Sequence, residues 1–215
     1  DGEGIELEEL HRFQNRPVYL HNTFYWDFLY LWNEVLESLC RCSSSGIETL
    51  EGIGIDTWNV DFGLLNGEGM LIANPVSYRD QSTSSVMEEI GEIVSDEELY
   101  AYTGIGLNTI SALTRLYHLK NVTAPELFRA ARTYLPMADL FRFYLTGETS
   151  GEESILWGSQ LVSVESRTWL TELISRLGFP ASLFPPIRPA GTVSAGISGE
   201  IKKTTGLSEA DVIAV

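Results

Sequence analysis

The chain has 215 residues, 44% hydrophobic and 20% charged, a composition that supports a packed core and excludes a largely disordered polypeptide. Fourteen Lys and Arg stand against 30 Asp and Glu, a formal net charge of −16, which repels phosphate backbones and anionic lipid, so neither a nucleic-acid nor a membrane partner is expected. Two cysteines, Cys40 and Cys42, are too few for a disulfide scaffold, have no second Cys/His cluster to complete a metal site, and suit a reducing compartment.

In chain order, the opening Asp1-Gly2-Glu3-Gly4 carries neither Met nor a signal-peptide pattern, and this end reads as cut from a longer protein. Ile5, Leu7, Leu10 and Phe13 partly alternate with polar residues, which predicts an edge strand over 5–13. Asn22 to Trp26 reads as a short second strand. Asp27 then stands where a helix cap belongs, and Phe28, Leu31, Trp32, Val35, Leu36 and Leu39 recur at helical spacing. That helix is expected to run to residues 39–41 and stop at Ser43-Ser44-Ser45-Gly46.

Residues 51–78 read as strand, strand, turn, strand. Ile53, Ile55 and Thr57 alternate with Gly52, Gly54 and Asp56, and glycine on one face of a strand points to a helix or ligand packed close. Val60, Phe62 and Leu64 alternate next, Asn66-Gly67-Glu68-Gly69 is a hairpin turn, and Met70 to Val76 returns as its partner strand. Helical stripes follow at 86–94, from a Ser95/Glu98 capping box toward Tyr102, at 110–117, from Pro125 to Ala131, at 137–145 closed by Gly147, and at 169–177 closed by Gly178. Residues 179–199, rich in Pro, Gly and Ser, read as an irregular connection, and Asp211 to Val215 as the start of a buried strand rather than a frayed tail. The whole reads as an α/β chain.

No G-x-G-x-x-G, Walker sequence or G-x-S-x-G elbow is present. His11, His21 and His118 lack metal-ligand spacing, and the Asn121-Val122-Thr123 glycosylation triplet means little without secretion. The informative residues run from Asp56 to Asp80. Two carboxylates, Asp56 and Asp61, flank Trp58-Asn59 where one strand hands over to the next, and Arg79-Asp80 follow the return strand. Two readings stand side by side. In one, the aspartates satisfy turn amides and Trp58 is core. In the other, an indole face beside carboxylates and Arg holds a polyol, stacking on its C–H faces and hydrogen-bonding its hydroxyls.

Ile55-Asp56-Thr57-Trp58-x-Val60-Asp61-Phe62, with Asn74-Pro75-Val76-x-Tyr78-Arg79-Asp80, resembles the FGGY carbohydrate kinases, and within them the rhamnulokinase subfamily. Weaker pieces agree in order: His11-Arg12-Phe13, Tyr25-Trp26-Asp27, Thr103-Gly104-Ile105, Asn108-Thr109, Leu135-Pro136-Met137-x-Asp139, Tyr144-Leu145-Thr146-Gly147 and Gln160-Leu161. The resemblance implies an actin-like, ribonuclease-H-like ATPase fold, with residues 1–215 an incomplete first domain of mixed sheet and flanking helices. It implies ATP and Mg²⁺ as cofactors of the complete protein, a small sugar as substrate, and a cytoplasmic setting. The family's phosphate-binding strand and its catalytic Asp would fall outside residues 1–215, so this piece alone is expected to be inactive and to bind no nucleotide or metal. Trp58, Asn59, Asp61, Arg79 and Asp80, then Asn108 and Gln160, are the sugar-side candidates. Other ketose kinases of the family, and a sugar-binding homologue without activity, remain alternatives. A missing central strand would leave a sheet edge open to another chain, and a homodimer stays open. Two stretches depart from the family pattern: Asn59 replaces the usual Gly, and Ser154 to Gln160 replaces a run rich in Asn and Thr.

Overall fold

The structure, a computed structural model, describes residues 4–215, so the reading of residues 1–3 as part of a cut end lies outside the described residues. β1 (Pro17–Leu20) and β2 (Thr23–Trp26) pair as an antiparallel hairpin. Its turn residues, His21 and Asn22, both take positive φ (50° and 61°), which matches the right-handed twist of the strands. The strand expected over 5–13 is not formed. Ile5 and Leu7 are exposed, and that stretch meets no partner ladder among the described residues, so its alternation has nothing to bury against.

α1 (Phe28–Ser44) starts as expected, with the Asp27 carboxylate accepting from the Tyr30 N–H at 3.2 Å. It runs a few residues further than the stripe indicates and leaves through Gly46, at φ 96°. After β3 (Thr49–Gly54) and β4 (Phe62–Leu65) comes a helical region. A 3₁₀ turn at Ser82–Val86 leads into α2 (Met87–Ile93), followed by α3 (Asp96–Thr103) and α4 (Ala112–His118). α4 continues as a π-helical turn, Leu119–Thr123, before α5 (Pro125–Ala130). β5 (Thr133–Pro136) enters α6 (Met137–Thr146) directly. Short elements follow: β6 (Gly151–Glu152), α7 (Glu153–Leu156) and a 3₁₀ turn at Trp157–Ser159, then α8 (Thr171–Arg176). The segment expected to be irregular holds β7 (Ile187–Arg188) and β8 (Val193–Gly196); α9 (Gly199–Thr205) and β9 (Glu209–Ile213) follow, β9 on the expected strand.

β9 is the centre of a mixed sheet, parallel to β3 on one side and antiparallel to β8 on the other. The glycines of β3 face only this neighbour. A Cβ at Gly52 would touch Ile213, and one at Gly54 would touch Val215, at ordinary contact distances of 3.4 and 3.5 Å, so among the described residues no helix presses on them.

The Asn66–Gly69 turn forms as read, with Asn66 Oδ1 accepting from the Glu68 and Met70 N–H groups and Gly69 at φ 78°. The strand expected to return from it does not. β4 instead pairs antiparallel with β5, and residues 71–77 make only single bridges, Leu71 to Leu65 on one side and Val76 to Tyr25 on the other. Asn74-Pro75 carries the chain from one ladder to the other: the Pro75 carbonyl accepts from the Trp26 N–H and the Ser77 N–H donates to Phe24. Gly63 makes the crowded centre possible, because a Cβ there would lie 2.6 Å from Leu140 and 2.9 Å from Leu71.

Three apolar clusters result. The largest gathers α2 to α5 and α8 around Phe62, Leu64 and Tyr134. A second holds Trp26, Phe28, Leu65 and Leu140, with Trp58 and Tyr78 against it, and a third joins Leu39, Leu145, Ile201 and Val212. α1 and α6 each contribute to the last two and so tie the hairpin side to the mixed sheet.

Candidate functional site

The residues between β3 and β4 are organised by Asp61. Its carboxylate is buried and accepts from three side chains: the indole N–H of Trp26, that of Trp58 at 2.5 Å, and the guanidinium of Arg115 on α4. Arg115 also donates to the carbonyls of Val60, at 3.2 Å, and Val76, and its guanidinium lies over the Phe62 ring. A buried ion pair survives desolvation when further hydrogen bonds support both partners, as the two indoles and the two carbonyls do here. Trp58 tilts at 47° against Trp26, 4.4 Å between centroids, so its ring orientation is fixed from two directions.

The step before Asp61 is unusual. Val60 has φ 72°, a conformation that β-branched residues avoid at a cost of about 1–3 kcal/mol. Both its peptide groups are held, the carbonyl by Arg115 and the N–H by Asn59 Oδ1 at 2.6 Å. Asn59 itself is exposed, and its amide lies flat over Gly158 in the 3₁₀ turn after α7.

Gln160, next along that turn, is buried at φ 62°. Its Nε2 donates to the carbonyls of Ile105 (3.0 Å) and Gly106 (2.6 Å), while its Oε1 has no partner among the described residues. Asn108 Nδ2 reaches the same Gly106 carbonyl at 3.2 Å, and its Oδ1 accepts from the Ile110 and Ser111 N–H groups before α4. Gln160 and Asn108 therefore meet at one backbone atom. Asp80 is buried under the hairpin, accepting from the Phe24 N–H (3.3 Å) and from Ser82 (3.0 Å to its N–H). Arg79 is exposed; its guanidinium sits 5.6 Å from the Tyr78 ring centre and makes no ion pair among the described residues. A cavity of about 320 Å³ between the hairpin, β4 and α4 includes Asp80 but none of the other six candidates.

Three of these contacts lay outside the sequence reading: Trp26 and Arg115 at Asp61, and Gly158 under Asn59. Tyr25-Trp26-Asp27 was legible only as a helix entry, and Arg115 carries no local signal because residues 112–116 are buried on every side.

A second buried carboxylate–guanidinium pair involves none of the seven candidates. Asp139 on α6 meets Arg142 at 2.8 Å and accepts from the Glu152 N–H at 3.0 and 3.2 Å. Burial pushes the Asp139 carboxyl up to about 7, only partly countered by Arg142, and burial likewise lowers Arg142. Among the described residues no group of three or more His, Cys, Asp or Glu is placed to hold a metal ion.

A sequence model described as the FGGY family of carbohydrate kinases, N-terminal domain, matches residues 10–215. The chain belongs to that family. It is 35% identical over 203 residues to a rhamnulokinase of Oceanobacillus iheyensis, covering 94% of this chain and 43% of the relative. It is 38% identical over 184 residues to a rhamnulokinase of Halalkalibacterium halodurans, covering 86% and 39%. The chain thus spans about two fifths of the length of these curated relatives. Among solved structures, a xylulose kinase from Rhodospirillum rubrum superposes with a TM-score of 0.86 at 20% identity, covering 93% of this chain and 42% of that one. A gluconate kinase from Lactobacillus acidophilus gives 0.85 at 18%, covering 93% and 41%. The fold of this FGGY chain is the actin-like ATPase fold, here as a partial domain. Among its described residues no helix is long and apolar enough to cross a membrane.

Proposed function

We propose that this FGGY chain is the sugar-holding part of an N-terminal domain in an ATP-dependent ketose kinase, acting on the C1 hydroxyl of L-rhamnulose or a similar ketose. The observation that carries the reading is the division of labour around Asp61. That carboxylate is engaged by Trp26, Trp58 and Arg115 and so fixes Trp58, while two polar groups, the Asn59 amide nitrogen and the Arg79 guanidinium, have no hydrogen-bond acceptor among the described residues. A fixed indole with uncommitted donors suits a polyol, whose hydroxyls accept from them. The reaction class is phosphoryl transfer to a primary alcohol, in which alignment of the acceptor supplies much of the rate. This chain's part is that alignment. Trp58, Asn59 and Arg79 face the sugar, Asp61 and Asp80 brace the wall behind it, and Asn108 and Gln160 shape the neighbouring turn. ATP, Mg²⁺ and the proton-accepting base are assigned to residues beyond this chain.

The test is steady-state kinetics on the intact protein with a ketose panel (rhamnulose, xylulose, fuculose, ribulose). Rhamnulose is expected to give the highest kcat/KM. Arg79→Ala is expected to raise KM for the sugar on the order of tenfold, the loss of one charge-assisted hydrogen bond, with KM for ATP unchanged. Equal effects on both substrates would overturn the assignment of Arg79.

A further inference from the structure

Asn59 and Gly158 are 99 positions apart, yet the Asn59 amide fits where it does only because residue 158 has no side chain. A Cβ built on Gly158 would lie 2.5 Å from both Cγ and Nδ2 of Asn59 and closer still to Oδ1, so any other residue at 158 would drive the amide away. The amide is not idle. Its Oδ1 holds the N–H of Val60, whose left-handed backbone is disfavoured for a β-branched residue and whose carbonyl is pinned by Arg115. Gly158 also belongs to the turn that delivers Gln160 to the carbonyls beside Asn108. The contact therefore joins the loop of Trp58 to the turn of Gln160. With Oδ1 occupied and Gly158 beneath, Nδ2, on a residue exposed to solvent, is left without an acceptor among the described residues.

We propose that Asn59 and Gly158 form a matched specificity pair: Gly158 makes room for the Asn59 amide, which locks Val60 and presents Nδ2 as a hydrogen-bond donor to an oxygen of the ketose. This rests on the sugar-kinase reading for the ligand, but not for the contact itself.

Four variants of the intact protein test it: Gly158→Ala, Asn59→Gly, the double variant, and Asn59→Asp. Gly158→Ala is expected to lower the melting temperature in the parent background and to leave it unchanged when Asn59 is already Gly, a coupling that independent sites do not show. It is also expected to raise the sugar KM on the order of tenfold, with KM for ATP unchanged. The double variant is expected to match Asn59→Gly alone within about twofold. Asn59→Asp keeps the shape and the acceptor but deletes the donor, so sugar KM rises while the melting temperature stays near the parent value. Additive melting shifts, or an unchanged sugar KM in Gly158→Ala and Asn59→Asp, would overturn the pair. A protein inert toward every ketose sinks the kinase reading instead; the lock is then upheld by coupled melting shifts and overthrown by additive ones.

Discussion

Asp61 with Arg115 and Asp139 with Arg142 are built from the same two groups, and both pairs are buried. They differ in what surrounds them. Asp61 collects two indole N–H donors besides its arginine, and that arginine also donates to two carbonyls. Asp139 has Arg142 and one backbone N–H, a second carboxylate, Glu152, stands beside it, and Arg142 Nε has no partner among the described residues. The first carboxylate is saturated with donors. The second has fewer, and burial, which Arg142 and the Glu152 N–H only partly counter, pushes its carboxyl up to about 7. A buried charge is held by its full set of hydrogen bonds rather than by its counter-ion alone.

The sharpest break of this contrast is to remove each arginine. Arg115→Ala strands Asp61 and is expected to cost about 3–5 kcal/mol in chemical denaturation. Arg142→Ala at pH 6 is expected to cost less, because Asp139 can take up a proton; equal losses would erase the distinction. The next effect is on pH dependence. The Asp139 carboxyl lies higher in the folded chain than in the unfolded one, so its contribution is complete below about pH 4 and is lost as pH rises toward 7. Stability of Asp139→Asn should therefore fall less than the parent's between those limits, read as melting temperature across buffers. Smaller again are the indole donors. Trp26→Phe is expected to cost about 1–3 kcal/mol, since it removes a donor from a buried carboxylate, and Trp58→Phe, at a half-buried ring, less. The smallest is the exposed Arg176–Glu98 pair, where Arg176 holds the Glu98 carboxyl low. Glu98→Gln should leave the melting temperature where it was.

Much of the frame was legible in the sequence because it is local. The Asp27 and Ser95 caps, the stripes of α1 and α6, the Asn66–Gly69 turn and β9 each declare themselves within a few residues. Glu98 shows where local reading stops. Its backbone N–H is capped by Ser95 and its carboxylate is drawn to the Ser95 backbone N–H in return, but the same carboxylate also pairs with Arg176, 78 positions on, which no local pattern announces. The partner of β4 was misread for the same reason: the turn announces a returning strand, whereas the ladder is taken by β5, about 70 residues on. At the candidate site, Trp58, Asn59 and Asp61 stood out by type and spacing. Their contacts, Trp26, Arg115 and Gly158, lie 35, 54 and 99 positions from the residues they touch and follow no periodicity.

The splice at residues 71–77 has a kinetic consequence. A two-stranded ribbon barely survives by itself in water, and here one such ribbon, β1–β2, is joined to another, β4–β5, through single bridges on either side of Asn74-Pro75. Opening either ribbon breaks the bridges that reach the other, so the amide protons of Trp26, Ile72 and Ser77 are expected to exchange with solvent deuterium at one common rate, and separate rates would show that the two ribbons open independently.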